Sequence, residues 1–147
     1  NWIDKTIPVA DIVYDVEEWT NGQVKATLSN PSEDITILNP NDGSDHVIFD
    51  TNDSFTFEFV DRAGNKGTAK AKVTWIDKEA PDAIVEYSTK KPTNKPVTVT
   101  LTNFTEDGVK IKNNNGSPSY TFESNGKFEF VIVDRAGNEK VIPVELD

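Results

Sequence analysis

Several residues in this sequence have the chemistry to react or to bind. Carboxylates stand in adjacent pairs at Glu17-Glu18 and Glu33-Asp34, the group type that does acid–base work when two flank one bond. A single imidazole, His46, follows Asp45. Asp77, Glu79 and Asp82 lie in one short stretch, with Asp4 and Asp11 in the matching place earlier in the chain. Their hard oxygens are calcium-type ligands able to stiffen a joint. Asp61 and Asp134 are further carboxylates to weigh as metal ligands. Trp19 sits in a polar run, where an exposed indole stacks on a sugar ring or pins its loop to the domain edge.

Most of this chemistry lacks a context. The chain has no Cys and no Met, which removes disulfides, thiol nucleophiles and soft metal ligands. His46 has no serine or cysteine nucleophile motif to serve, and a solvent-exposed loop imidazole is expected. Of the carboxylate pairs only Glu33-Asp34 recurs, as Glu106-Asp107, and repeated β modules are scaffolds before they are active sites. No D-x-D-x-D-G calcium loop is present. The sequence therefore predicts no catalytic residue, no cofactor and no metal site, with Asp77, Glu79 and Asp82 as the calcium alternative. The net charge of −10 offers no basic face to displace phosphate counterions, which argues against nucleic acid. Residues 1–74 carry 13 acidic against 6 basic side chains, and residues 75–147 carry 12 against 9. No apolar run is long enough to span a membrane. The absence of cysteine fits export from a bacterium better than an animal ectodomain, and the Asn1 start without a signal peptide suggests an excised fragment.

The elements that hold these residues occur twice. Trp2-Ile3-Asp4-Lys5 returns as Trp75-Ile76-Asp77-Lys78, an offset of 73. The offset carries Pro8 onto Pro81, Tyr14 onto Tyr87, Thr20-Asn21 onto Thr93-Asn94, and Phe49 onto Phe122. A match spread over the whole unit marks a tandem repeat. Each unit alternates apolar and polar residues in short runs, the period of a half-buried strand. One face is expected to hold Ala10, Ile12 and Tyr14, then Val24, Ala26 and Leu28, then Phe55, Phe57 and Phe59, then Ala69, Ala71, Val73 and Trp75. Shorter strands are expected at Ile35–Leu38, Val109–Ile111, Val47–Phe49 and Tyr120–Phe122, with loops at 39–45 and 113–119. In the second unit Ala83, Val85, Tyr87, Val97, Val99, Leu101, Phe128, Phe130, Ile132, Ile142, Val144 and Leu146 answer. Six or seven strands per unit and no helical period predict a β-sandwich.

The last two strands of each unit are joined by Asp61-Arg62-Ala63-Gly64-Asn65 and by Asp134-Arg135-Ala136-Gly137-Asn138. Gly64 and Gly137 stand where a type I turn with a bulge needs positive φ. Asp61 and Asp134 can accept hydrogen bonds from the following N–H groups, and Asn65 and Asn138 tolerate the same backbone region. These are structural turn roles, which compete with any role as metal ligands.

A strand ending in D-x-A-G-N, a strand ending at Trp75-Ile76-Asp77, and a strand opened by Ala80-Pro81 together resemble the bacterial immunoglobulin-like (Big-type) tandem repeats. Such repeats occur in Gram-positive cell-surface proteins and secreted multidomain enzymes. The resemblance covers nearly the whole chain. It implies an all-β fold of two tandem immunoglobulin-like β-sandwich domains, 1–76 and 77–147. It also implies a non-catalytic spacer or accessory module, extracellular or cell-wall attached, beside a hydrolase such as a glycosidase or protease. Partners would be neighbouring domains of the same polypeptide, with a host protein or glycan as the adhesin alternative using Trp19, and the chain would be a monomer. The isopeptide cross-link of some related sandwiches needs a buried lysine, and every lysine here falls on an outward or loop position. The joint from Asp77 to Pro81 is short and stiff, so the units are expected end to end. Trp75 is expected to point into the first core, and Trp2 to be more exposed than Trp75.

Overall fold

A computed structural model describes residues 2–147 as two compact units, Asn1–Asp77 and Lys78–Asp147. The first unit holds β1 (Asp11–Tyr14), β2 (Val24–Ser29), β3 (Ile35–Asn39), β4 (His46–Phe49), β5 (Asp53–Asp61) and β6 (Lys66–Val73). The second holds β7 (Ile84–Tyr87), β8 (Val97–Thr102), β9 (Lys110–Ile111), β10 (Ser119–Phe122), β11 (Gly126–Val133) and β12 (Glu139–Leu146). Among the described residues a single 3-10 turn spans Asn114–Gly116. Each unit has the same two antiparallel three-stranded sheets: β1-β2-β4 and β3-β5-β6, then β7-β8-β10 and β9-β11-β12. The fold is all-β, as the alternation implied.

The period-2 pattern decides which side chains meet between the sheets. In the first unit Val24, Ala26, Leu28 and Phe49 come from one sheet, and Phe57, Phe59, Ala71 and Val73 from the other; all are buried. In the second, Val99, Leu101 and Phe122 meet Phe130, Ile132, Ile142 and Val144. Fully burying a side chain of this size contributes roughly 1.5–3 kcal/mol. Phe55 and Phe128 share the inward face but are only half-buried. Phe55 meets Phe57 edge to face, and Phe128 stacks on Tyr120. Pro143 falls on the exposed face of β12 between the buried Ile142 and Val144, and β12 is an edge strand, where proline is tolerated.

Three local expectations change. His46 is not a loop residue: it opens β4, pairs with Thr27, and is partly buried. The preceding carbonyl of Asp45 accepts from the N–H of Leu28, which extends the ladder back to this point. The strand expected to run to Trp75 stops at Val73. The strand expected over 109–111 shrinks to Lys110–Ile111.

Gly67 has a role that alternation does not reveal. It is buried and lies opposite Phe59 across β5 and β6. A Cβ there would stand 2.3 Å from the carbonyl oxygen of Pro8 and 2.6 Å from the Phe59 ring. The phenyl ring and the Pro8 backbone therefore fill the space that a side chain would take. The same position in the second unit pairs Ile132 with Lys140. A smaller core residue there coexists with a full side chain on the neighbouring strand.

Candidate functional site

Each conspicuous polar motif has a local task in the fold. In the first D-R-A-G-N turn Asp61 is 6% exposed. Its Oδ1 accepts the N–H of Ala63 at 2.9 Å and of Asn65 at 2.8 Å, and its Oδ2 accepts from the Asn65 side chain at 3.0 Å. The Asn65 amide and the backbone N–H groups of Asn65, Ala63 and Gly64 hold the Asp61 carboxyl below the usual range against the opposing effect of burial. Asp134 repeats the set, accepting Ala136 N–H, Asn138 N–H and the Asn138 side chain. Burial pushes the Asp134 carboxyl up, and the Asn138 and backbone donors outweigh it, so it too is lowered. Gly64 and Gly137 have φ of 91° and 92°, the region a glycine enters freely. Asn65 and Asn138 are not among the residues with positive φ. Their side chains act instead, and Asn65 also donates to the Asp4 carbonyl at 3.0 Å.

The carboxylates that converge in the first unit are Asp4, Glu33 and Asp61, with oxygens within 4.8 Å of one another. The Asp77, Glu79, Asp82 stretch supplies none of these three. Asp82 turns its carboxylate to the N–H of Ala83 and lies 3.8 Å from the Lys140 ammonium. Partial burial, then the charges of Asp4 and Asp61, push Glu33 above the usual carboxylate range. Hard oxygens in this number are the donor type calcium takes. A proton on Glu33 relieves the same repulsion, and Asp61 is already committed to the turn. Sequence spacing gave no sign of this trio, because its members come from three separate segments. The repeat offset carries them onto Asp77, Glu106 and Asp134.

Glu17, Glu18, Asp34, His46 and Trp19 do not join Asp4, Glu33 and Asp61 in this group. Glu17 and Glu18 are exposed, and Asp34 pairs with Arg62 at 3.1 Å where both side chains are largely solvated. His46 Nδ1 lies 3.0 Å from Asp45 Oδ1, and this contact draws the Asp45 carboxyl down. Trp19 is 38% exposed. Every lysine is exposed, so among the described residues none is placed for a buried cross-link.

A set of long-range hydrogen bonds and ring contacts in the first unit involves a segment that alternation described poorly. After β6, residues Trp75-Ile76-Asp77 lie along the loop that follows β1. Thr20 N–H donates to the Trp75 carbonyl at 3.1 Å, and Asp77 N–H donates to the Thr20 carbonyl at 2.8 Å. Thr20 and Ile76 thereby form a parallel bridge. The Asn52 side chain brackets Ile76, donating to its carbonyl at 2.9 Å and accepting its N–H at 2.8 Å. Ile76 is 7% exposed and belongs to the core. The Trp75 ring meets Tyr14 edge to face at 5.1 Å, and its indole N–H donates to the Val16 carbonyl at 2.9 Å. This segment closes the end of the first sandwich. Trp2, with the same neighbours in sequence, is fully exposed.

The corresponding end of the second unit is an open groove of about 650 Å³. Its lining includes Tyr87, Thr93, Val97, Phe122, Asn125 and Leu146, and its charged residues are of both signs: Lys90, Lys91 and Lys95 with Glu123, Glu145 and Asp147. Lys90 lies 5.7 Å over the Tyr87 ring. No helix among the described residues is long and apolar enough to cross a membrane.

No curated protein matches the chain. The sequence profile of the bacterial Ig-like domain matches it twice, over residues 3–78 and 85–146. That family is generally non-catalytic and commonly extracellular or surface-associated. Two matches covering nearly the whole chain, on two sandwiches of identical topology, place it in the bacterial Ig-like domain family.

Proposed function

We propose that the chain is a pair of non-catalytic spacer or accessory modules, divided at 76 and 77, in a larger secreted or surface-attached protein. The parent we favour is a Gram-positive surface protein or a hydrolase such as a glycosidase or protease, whose activity lies in another domain. The observation that carries this reading is the use of the repeated polar residues. Asp61 and Asp134 are engaged by the N–H groups of their own turns, and Asn52 holds the backbone of Ile76. Residues committed to the fold in this way leave little for chemistry on a substrate. The purified chain should show no glycosidase or protease activity on broad substrate panels, and turnover lost on a single carboxylate substitution would refute the reading.

The 38% exposure of Trp19 favours a second reading, an adhesin or carbohydrate-binding module that uses this indole and the 39–46 loop. Trp19 is replaced by Pro92 in the second unit, so such binding would belong to the first unit alone. A glycan array separates the two readings. A blank array supports the spacer; a specific signal abolished by Trp19→Ala supports the adhesin.

A further inference from the structure

We infer that the outer face of β5 and β6 in the first unit binds a linear, phosphate-bearing polyanion along a row of three lysines. The period-2 alternation of β6 turns Lys66, Thr68, Lys70 and Lys72 to solvent and Gly67, Ala71 and Val73 inward. Lys70 and Lys72 stand about 7 Å apart along the strand, and Lys66 to Lys72 spans about 20 Å, at about 3.4 Å per residue. On the neighbouring strand this face holds Ser54, Thr56, Glu58 and Val60, of which only Glu58 is acidic, and it lies opposite Thr68. Arg62, Lys112, Lys127 and Lys140 each pair with a carboxylate. Among the described residues none of Lys66, Lys70 and Lys72 does. The row is not a property of the repeat, because the offset of 73 carries these lysines onto Glu139, Pro143 and Glu145. Lysine often guards an edge strand against pairing. Here the N–H of Lys72 is already taken by the Tyr14 hydroxyl at 2.9 Å, and the same face of the equivalent edge strand β12 has no lysine.

Charge and residue type together specify the occupant. The net charge of −10 hides this row, and carboxylates beyond about 8 Å are screened from it at physiological ionic strength. The positive charges form a single file, which fits a thin extended chain. A flat anionic bilayer would also meet the acidic remainder of the surface. All three cations are lysines, whose compact ammonium binds phosphate as a point charge, whereas planar two-point recognition of carboxylates favours arginine. Between and beside them stand the hydroxyls of Thr68, Thr56 and Ser54, which donate readily to phosphate oxygens. Neither strand places an aromatic residue on this face, so nothing there stacks on bases as single-stranded nucleic acid requires. The lysines at 90, 91 and 95 are a poorer site, because their groove also holds Glu123, Glu145 and Asp147.

Titration of the whole chain with linear polyphosphate over a salt series tests this. The logarithm of the affinity should fall with the logarithm of salt concentration at a slope near −2, roughly −0.7 for each of three phosphate contacts. Amide resonances of Lys66 to Lys72 should shift, and those of Lys90 to Lys95 should not. The combined Lys66→Gln, Lys70→Gln and Lys72→Gln substitutions should weaken binding at least about tenfold and flatten the salt slope. All three side chains are exposed, so the variant should keep the parent melting temperature. The combined Lys90→Gln, Lys91→Gln and Lys95→Gln substitutions should leave the affinity largely intact. No binding at low salt would overturn the proposal, as would binding lost in the second variant and kept in the first. Equal affinity for poly-L-glutamate would overturn the preference for phosphate, and equal affinity for phosphatidylserine vesicles would overturn the linear polymer.

Discussion

The indole N–H of Trp75 donates to the carbonyl of Val16 at 2.9 Å, across 59 positions of sequence. That bond ties the segment after the last strand to the loop after the first strand, and Ile76 enters the core beside it. The first sandwich is therefore closed by residues outside its sheets. Ile76→Ala should cost about 2–4 kcal/mol, the range for truncating a buried aliphatic side chain. Asn52→Ala, which removes both hydrogen bonds to Ile76, should cost about 1–2 kcal/mol. Urea midpoints check both, with unchanged values counting against the closing role.

Gly67 should not tolerate a methyl group. Gly67→Ala places a Cβ against the Pro8 carbonyl and the Phe59 ring, and overpacking of this kind costs about 1–3 kcal/mol. Lys140→Ala at the matching position should change stability by less than about 0.5 kcal/mol, because Lys140 is exposed and its pairing with Asp82 is solvated. Equal effects in thermal unfolding would show that the Phe59–Gly67 pairing is not what requires the glycine.

Replacing Gly64 or Gly137 by Val forces a β-branched residue to φ near 91° or 92°. Each substitution should cost at least about 1–2 kcal/mol. Denaturant midpoints that stay put in both variants would contradict the turn geometry.

The carboxylates give the pH dependence two opposite parts. Asp61 and Asp134 are lowered in the folded state. Their contribution is present above the ordinary aspartate value of 3.8 and is lost as pH falls through their depressed values. Glu33 is raised, so its ionisation opposes folding as pH rises from the ordinary 4.5 through its elevated value. In chelator at neutral pH, Glu33→Gln should raise the melting temperature. Asp61→Asn and Asp134→Asn should lower it and flatten the loss of stability below pH 4. A Glu33→Gln variant less stable than the parent at neutral pH would show that the repulsion is already relieved.

Much of the fold was legible in the sequence because it is local. The alternation at Val24, Ala26 and Leu28 and at Phe57 and Phe59 marks buried faces directly, and the D-R-A-G-N turns announce their hairpins by residue type. The 73-residue offset then makes each unit a check on the other. What escaped depends on tertiary convergence. Trp75 continues the alternation of β6, yet the strand ends at Val73 and the indole turns to Tyr14 and Val16. Asp4, Glu33 and Asp61 meet because three segments cross at one point. Gly67 reads as a weak point in a strand until the Phe59 ring beside it is seen. The open groove showed only on comparing what fills each unit's end.

The central claim is that each repeat is a self-contained sandwich and that the end of the first is closed by its Trp75-Ile76 segment. Site-resolved amide hydrogen exchange on the Ile76→Ala chain tests it most directly. The account predicts lost protection through β2, β5 and β6, with β8, β11 and β12 unchanged. Protection retained in β2 and β5, or lost equally in both units, would contradict it.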